Sequence, residues 1–387
     1  MASLTSGNCA IGSQAGAGYS GRFFLLVRSD RAISGAMSDA VLPHSGPTAR
    51  QIAARRPIAY WLFTVAALIF CMVIVGGATR LTESGLSITE WKPVMGAIPP
   101  LSEEHWLEEF EKYRQIPEYQ LVNKGMSLAE FQYIYWWEWG HRFLGRFIGF
   151  AFFVPFVFFL ATKRVERQLV PKLAAMFVLG GLQGALGWYM VMSGLVDRVD
   201  VSQYRLTAHL GLAFVIAAYI FWVALDLLRG TLGQALTWTG ISKRAAVLTG
   251  AIFFQVLLGG FVAGLRAGHA YNTWPLMDGR IIPRGLFDLS PWWVNFFENH
   301  ITVQFDHRMV AYAITAFALY HLFTLKSAPR AVKMSGHLLM AAILLQVVLG
   351  IWTLLAAVPI PLGVIHQGGA MLVLGAALFH LHLSARR

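Results

Sequence analysis

The composition of this 387-residue chain excludes an ordinary soluble domain. Its residues are 56% hydrophobic and only 13% charged, whereas a soluble domain carries roughly 25% charged residues. The formal net charge is +11, but the basic residues lie in short clusters between apolar runs, which excludes nucleic acid as the partner and indicates membrane topology. The two cysteines, Cys9 and Cys71, argue against a disulfide framework or a cysteine-ligated metal site.

The first 56 residues show no periodic pattern. They are rich in Ser, Gly and Ala and poor in acids, and the apolar run at 23–27 is too short for the core of a signal peptide. A segment of this kind is predicted to be an unfolded tail. A mitochondrial transit peptide is one alternative, and a misassigned start with Met37 as the true first residue is another.

Eight apolar runs follow, each about 20 residues long, which is enough to span a bilayer as a helix. They are predicted at 58–79, 136–161, 171–193, 204–228, 244–265, 303–325, 333–356 and 361–383. Basic residues cluster at 163–172, 229–244 and 326–333, all on one side of these runs. The positive-inside rule makes that side cytoplasmic, so both the N- and the C-terminus are predicted to be cytoplasmic.

Two long loops are predicted on the opposite, outer side. In the first, 80–135, Ser102 is followed by acidic residues, which is a helix start signal. Apolar residues then recur at helical spacing: Trp106, Phe110 and Tyr113. The sequence therefore predicts an amphipathic helix over 102–115 that lies on the outer surface. The second loop, 266–302, is rich in Trp and Pro, as interfacial segments are.

The chain contains an internal repeat. Segment 75–100 matches segment 258–283 with identical residues at one constant offset of 183. In the first copy these residues are Gly76, Gly77, Trp91, Gly96, Ile98 and Pro100. The order then continues with a His-Arg pair in the second and sixth runs, Gln-x-x-x-Gly in the third and seventh, and a histidine in the fourth and eighth. The fold class predicted is an all-α membrane protein with two tandem, pseudo-symmetric four-helix bundles, over 57–230 and 244–387.

Each predicted bundle carries two histidines at repeat-related positions near the outer ends of its helices. They are His141 and His209 in the first half, and His307 and His366 in the second. Two imidazoles that face each other across a four-helix bundle can be the axial ligands of one haem, so each half is predicted to hold a haem. Packing hydrogen bonds are the alternative for any one of them. Zinc or copper is disfavoured because no cysteine or carboxylate ligand recurs in both halves.

The halves differ at one position beside these histidines. Glu138 stands three residues before His141, whereas Gln304 stands at the equivalent place in the second half. Residues three apart share a helix face, so Glu138 is predicted to face the same site as His141. A carboxylate in one half only predicts a reacting haem in the first half and a permanent haem in the second. The alternative is that Glu138 forms an ion pair with Arg142 or Arg146.

An arginine follows the first histidine of each half. These residues are Arg142 and Arg308. Haem propionates are anionic and a guanidinium binds carboxylates bidentately, so both arginines are predicted to bind propionates. Snorkelling to the membrane interface is the alternative.

Seven motifs along the chain resemble those of the haem A synthase family. They are GGATRLTESGLS (76–87), GAIPPLSEEHW (96–106), EWGHRFLGR (138–146), RLTAHLG (205–211), YNTWPLMDG (271–279), FDHR (305–308) and IHQ (365–367). The resemblance runs in order from about residue 60 to the C-terminus. It implies an enzyme that oxidises the C8 methyl of haem O to a formyl group, which gives haem A for cytochrome oxidase.

The resemblance also implies roles for individual residues. His141 and His209 match the histidines of the substrate-haem half, and His307 and His366 match the ligands of a b-type haem cofactor. Glu138 matches the family's essential carboxylate, to which proton removal or stabilisation of a cationic intermediate is attributed. The implied partners are haem O, haem O synthase, cytochrome oxidase assembly factors and a membrane electron acceptor.

Two other functions stay open at the level of sequence. A dihaem b-type electron carrier would hold two permanent haems and form no product, and a haem exporter or chaperone would need no carboxylate. The compact cytoplasmic loops favour the bacterial inner membrane over the mitochondrial inner membrane. Small residues such as Gly76 and Gly180 also allow a homo-oligomer, because they let helices pack closely.

Overall fold

The computed structural model describes residues 49–92, 95–195 and 199–386, and over these residues the chain is helical without a β-strand. Its α-helices are α1 (Ala49–Leu81), α2 (Glu103–Arg114), α3 (Pro117–Leu121), α4 (Leu128–Ala161), α5 (Val170–Met192), α6 (Gln203–Arg229), α7 (Gly240–Gly264), α8 (Asn295–Glu298), α9 (His300–Phe323), α10 (Arg330–Leu355) and α11 (Ile360–Ala385). The predictions for residues 1–48, including the start at Met37, lie outside the described residues.

Seven of the described helices are long and apolar enough to cross a membrane: α1, α4, α5, α6, α7, α10 and α11. The sixth predicted span corresponds to α9, which has 24 residues but is not among the seven. Asp306, His307 and Arg308 stand in succession in α9 and lower its hydropathy. An all-α protein with seven candidate membrane helices is therefore established, and the eighth span stays a prediction.

The helix boundaries differ from the predicted ones most at α4. The sequence predicts a start at 136, but α4 begins at Leu128. A capping box fixes this start: the Ser127 hydroxyl accepts from the Glu130 amide, and the Glu130 carboxylate accepts from the Ser127 amide at 2.8 Å. The prediction that the stretch WWEWGHR opens this helix is therefore wrong, and Glu138 lies about three turns inside it.

The first long helix also begins earlier than predicted. Residues 49–56, which the sequence assigned to the tail, form the first turns of α1. Arg55 in these turns is buried and donates from both Nε and Nη2 to the carboxylate of Glu166, in the loop between α4 and α5. A bidentate ion pair of this kind holds geometry as well as charge, so it anchors the start of α1 to that loop.

The eight long helices form two groups of four, and the helices of each group contact one another in the same order. In the first group, α1 and α5 each contact both α4 and α6. In the second, α7 and α10 each contact both α9 and α11. The groups meet where α1 contacts α11 and where α6 contacts both α7 and α11. This equivalent contact order supports the two bundles that the internal repeat predicts.

The amphipathic helix predicted in the first outer loop is present as α2. Its N-cap is Ser102, whose side chain accepts from the amide of His105 at 3.3 Å. Phe110 and Tyr113 are buried, and the ring of Phe110 stacks on Phe131 of α4 with centroids 4.9 Å apart. The helix prediction is confirmed, and α2 packs on the outer part of α4 through these apolar residues.

A buried polar network joins the C-terminal ends of α6 and α11. Asp226 accepts from Thr231 at 2.6 Å, from His382 Nε2 at 2.9 Å and from Arg386 at 3.1 Å. Arg229 donates to the other ring nitrogen of His382 at 2.6 Å, so Nε2 carries the proton of a neutral ring. His382 thus makes the hydrogen bonds of a packing residue, and the network ties the first group of helices to the second.

Candidate functional site

A cavity of about 620 Å³ lies within the first group of helices. Its walls are mostly apolar and come from α1, α4, α5 and α6, and its volume lies within the roughly 300–1,000 Å³ that is usual for cofactor and ligand sites. Four predicted site residues line it: Glu138, His141, Arg142 and His209. The structure therefore brings together the first-half residues that the sequence singled out.

Each of the four predicted histidines lies against a glycine of a neighbouring helix. A Cβ atom added at Gly187 of α5 would come within 2.9 Å of Cε1 of His209, so only glycine leaves this ring its place. The equivalent distances are 3.2 Å from Gly76 to Nε2 of His141, 3.4 Å from Gly259 to Cε1 of His307 and 2.8 Å from Gly350 to Cε1 of His366. Each of the four imidazole rings therefore packs against a glycine, and the two halves place these glycines at positions that the internal repeat relates.

Three of the four histidines also contact a glutamine on the helix that supplies the glycine. In each case the amide nitrogen donates to the backbone carbonyl of the histidine and lies beside its ring Nδ1. The distances to carbonyl and Nδ1 are 3.0 and 3.2 Å for Gln183–His209, 2.8 and 3.1 Å for Gln255–His307, and 2.7 and 3.1 Å for Gln346–His366. These contacts fix the position of each ring relative to the helix that carries the glutamine.

The fourth histidine has no such glutamine. The residue at the offset of 183 from Gln255 is Met72, whose thioether also lines the cavity but cannot donate a hydrogen bond. Sequence reasoning noted Gln-x-x-x-Gly in α5 and α10 but missed the third copy, Gln255-x-x-x-Gly259 in α7. The spacing of four residues between glutamine and glycine, which the other two copies show, identifies this copy as well.

The second half brings His307 and His366 close enough to interact electrostatically. No described residue makes a hydrogen bond to Nε2 of either ring, while Nδ1 of each is in contact with its glutamine. Two buried imidazoles that are held in position, with no partner at Nε2 among the described residues, are a ligand pair of the kind that haem iron binds. The residues present in this half therefore fit a haem.

Glu138 is buried in the wall of the first cavity, with 2% of its surface exposed. Oε2 accepts from the Ser87 hydroxyl at 2.8 Å and from the Ile88 amide at 2.7 Å. Oε1 accepts from Nε and Nη2 of Arg142 at 3.0 and 2.6 Å. These four donors fill the acceptor sites of the carboxylate. The ion pair that the sequence left as an alternative for Glu138 is present.

Arg142 and Arg308 both hold the chain segment that follows the first helix of their half. Besides Glu138, Arg142 donates to the carbonyl oxygens of Ile88 at 2.8 Å and Glu90 at 3.0 Å. Arg308 donates to the carbonyl oxygens at the same repeat positions, Tyr271 at 3.0 Å and Thr273 at 2.9 Å. The two guanidinium groups that were predicted to bind propionates are therefore hydrogen-bonded to backbone carbonyl groups. Each arginine holds a loop that is distant in sequence against its own bundle.

Another arginine in the cavity wall has unused donors. Arg80 lies near the outer end of α1, and its nearest anionic oxygen, on Asp200, is 3.7 Å away. Its Nε and Nη2 atoms are buried and have no hydrogen-bond partner among the described residues. Sequence reasoning quoted Arg80 within a motif but gave it no role, because its burial depends on helices far away in the chain.

Comparison with known proteins identifies the family. A family model described as cytochrome oxidase assembly protein matches residues 59–378. The Heme A synthase of Parvibaculum lavamentivorans is 60% identical over 346 residues, which are 89% of this chain and 99% of that protein. The chain belongs to the haem A synthase family.

Further relatives agree with this assignment. The Heme A synthase of Nitrosospira multiformis is 55% identical over 343 residues, covering 87% of this chain and 95% of that protein. The Heme A synthase of Brucella ovis is 50% identical over 335 residues, covering 86% of this chain and 93% of that protein. The family resemblance seen in the seven sequence motifs is therefore confirmed.

Proposed function

We propose that this protein oxidises the C8 methyl of haem O to a formyl group and so makes haem A for cytochrome oxidase. The observation that carries the proposal is the apolar cavity of the first half, which has two histidines and one buried carboxylate in its wall. A dihaem electron carrier needs two equivalent permanent sites, whereas Glu138 and Met72 have no counterpart of the same chemistry in the second half. The asymmetry favours one reacting site and one permanent site.

The chain crosses the membrane eight times in two tandem, pseudo-symmetric four-helix bundles, 57–230 and 244–387, with both termini cytoplasmic. The equivalent contact order of the two helix groups supports the bundles, and α9 completes the second group. Eight spans return the chain to the side on which it starts, in agreement with the basic residues of the inner loops. The bacterial relatives support the bacterial inner membrane as the location rather than the mitochondrial one.

In the second half, His307 and His366 would hold the iron of a resident haem b. A bound haem b supplies one-electron redox chemistry at this place. Gln255 and Gln346 fix the two ring orientations, and the neighbouring glycines leave space for the rings. Arg308 keeps the outer loop closed over this half through its two carbonyl contacts.

In the first half, His141 and His209 hold the iron of the substrate haem O. The Nε and Nη2 donors of Arg80, which have no hydrogen-bond partner among the described residues, bind a propionate of that substrate, since a carboxylate satisfies such buried donors. Arg142 contributes by holding segment 88–90 over the site, which replaces the direct propionate contact predicted for it.

Glu138 acts on the reaction through its charge. A carboxylate that already accepts four hydrogen bonds is a weak proton acceptor, but it stabilises positive charge that develops nearby. Of the two roles attributed to the family's carboxylate, the contacts therefore favour stabilisation of a cationic intermediate over proton removal. Arg142, Ser87 and the Ile88 amide fix the position of the carboxylate in the cavity wall.

The reaction requires partners on both sides. Haem O synthase supplies the substrate, cytochrome oxidase assembly factors receive the product, and a membrane electron acceptor removes electrons. With water as the source of oxygen, a methyl group and one water molecule give a formyl group, four protons and four electrons. We infer that the membrane electron acceptor binds near the second half, where a haem b would be held.

The proposed function is tested by expressing the full chain in cells that make haem O but no haem A. Extracted haems are separated by chromatography and identified by mass, with cells carrying an empty vector as the control. We expect haem A only in cells that express the protein. Haem B and unreacted haem O alone, with the protein folded in the membrane and an electron acceptor present, would sink the synthase proposal.

The haem b site can be tested through its glycine. In Gly350→Ala, the new Cβ atom lies 2.8 Å from Cε1 of His366, which forces the ring to move. We expect haem b per purified protein to fall severalfold. Gly375→Ala in α11 is the control, because its Cβ atom meets nothing within 4 Å. Equal haem b contents in both variants would contradict the assignment of His366.

A further inference from the structure

A second buried carboxyl group lines the same cavity as Glu138. Glu118 belongs to the short helix α3 in the first outer loop, and 5% of its surface is exposed. The one hydrogen bond to its carboxyl group from the described residues comes from the Tyr113 hydroxyl, at 3.3 Å. Glu138, in contrast, accepts four hydrogen bonds, two of them from an arginine. The two carboxyl groups of this cavity therefore differ strongly in the number of donors they have.

The surroundings of Glu118 disfavour its charged form. Burial raises the pKa of Glu118 to about 8, and nearby carboxylates add to this effect. The charged and titratable groups that act on it are Tyr113 of α2, Glu138 of α4, Glu83 and Asp200 of the outer loops, and the cations Arg80 and Arg266. Arg266 forms ion pairs with Glu83 and Asp200, so its positive charge does little to stabilise the ionised form of Glu118.

The proposed reaction releases protons where Glu118 lies. Oxidation of one methyl group with one water molecule yields four protons and four electrons. The electrons pass to the membrane electron acceptor, but the protons must leave an apolar cavity in which free charge is unstable. Glu138 cannot take them readily, because its acceptor sites are filled by hydrogen-bond donors.

We propose that Glu118 is the proton acceptor of the substrate cavity and that its connection to Tyr113, a hydrogen bond from the hydroxyl to the carboxylate, sets how readily it accepts. In each transfer, a C–H or O–H bond of the substrate or of water breaks, and its proton binds a carboxylate oxygen of Glu118. The proton then leaves to water on the outer side. This inference rests on the proposed function and assigns a residue of the outer loop to it.

Tyr113 joins Glu118 to the loop before α4 through two hydrogen bonds. The Tyr113 hydroxyl, which is fully buried, donates to Glu118 and accepts from the amide of Asn123 at 2.7 Å. Asn123 is partly exposed in the loop before α4. A group whose pKa lies near the working pH both takes up and releases protons efficiently, which agrees with the raised pKa of Glu118.

The first test measures haem A formation by full-length protein in membranes between pH 6 and 9. In the wild type the rate should rise with pH towards about 8, because Glu118 must be deprotonated to accept a proton. Glu118→Gln should lower the rate about 100-fold and flatten this profile, and Glu118→Asp should restore part of both. Glu104→Gln, an exposed substitution in α2, is the matched control and should keep the wild-type profile.

A second variant separates proton transfer from a structural role. Tyr113→Phe keeps the buried ring but removes the donor that favours the ionised form of Glu118. The rising part of the pH profile should therefore move to higher pH, with haem b content and absorption spectrum unchanged. A lower rate with an unshifted profile would indicate a structural role and overturn the proposed connection.

The third test needs no substrate. A hydrophobic carbodiimide modifies protonated carboxyl groups in apolar surroundings, and the modified peptide is identified by mass. We expect modification of Glu118 that declines as the pH rises through about 8, with little modification of Glu138. Absence of the Glu118 adduct at pH 6, or wild-type turnover in Glu118→Gln, overturns this inference alone. Absence of haem A from the wild type overturns the proposed function and this inference with it.

Discussion

Replacing Glu138 by glutamine should abolish haem A formation and leave the resident haem b in place. Glutamine has nearly the shape of glutamate, and Gln304 occupies the equivalent position in the second half. The substitution removes the negative charge from the cavity wall. Loss of one preorganised electrostatic contact lowers turnover about 100- to 1,000-fold in enzymes, and an effect of that size is expected here.

The measurement compares haem A, haem O and haem B extracted from cells that express each variant at equal protein level. Glu111→Gln, at an exposed position of α2, is the control for removal of a single carboxylate. Glutamine is preferred to alanine, because its amide oxygen can still accept a hydrogen bond from Arg142, whereas alanine removes every acceptor at this position. Wild-type yield of haem A from Glu138→Gln would remove Glu138 from the mechanism.

Loss of a histidine should have opposite effects in the two halves. His307→Ala and His366→Ala should each remove the haem b that copurifies with the protein, because one axial ligand and its Gln-oriented ring disappear. His141→Ala and His209→Ala should keep that haem b but form no haem A. All four alanine variants remove a ring of equal size, so each pair is the control for the other.

The readout is haem b per protein, taken from the absorption spectrum of the purified chain and from extracted haem. Haem b lost from the first-half variants and retained in the second-half ones would reverse the assignment of the two sites. Equal retention in all four would contradict axial ligation by these histidines. Folding of each variant is followed by its membrane yield and helical content.

Much of this architecture was predictable because membrane helices leave a strong local signal. The eight apolar runs correspond to eight long helices, and the repeat at an offset of 183 identified equivalent positions before any contact was known. The predicted start of α4 was too late, because the prediction rested on apolar content alone. Ser127 and Glu130 lie in a polar stretch, and their capping box extends the helix into it.

Side-chain partners that lie far apart in the chain were less predictable. Arg142 was expected to face a propionate, but it reaches carbonyl oxygens more than 50 residues earlier, and no local pattern marks that loop as its neighbour. The burial of Arg80 and Glu118 likewise arises only when separate helices and outer loops meet. Ionisable residues outside apolar runs look like ordinary loop residues in sequence, so their role stays hidden until they are placed.

The three glutamine contacts and the single methionine have a consequence for how long each haem stays. A ligand whose ring and backbone carbonyl are both held by a neighbouring helix moves only with that helix, so its metal bond is long-lived. His141 lacks such a contact, because the position equivalent to Gln255 is Met72, whose thioether cannot donate a hydrogen bond. We therefore expect one half to retain its haem through many generations of product, and the other to exchange its haem on the timescale of a single turnover.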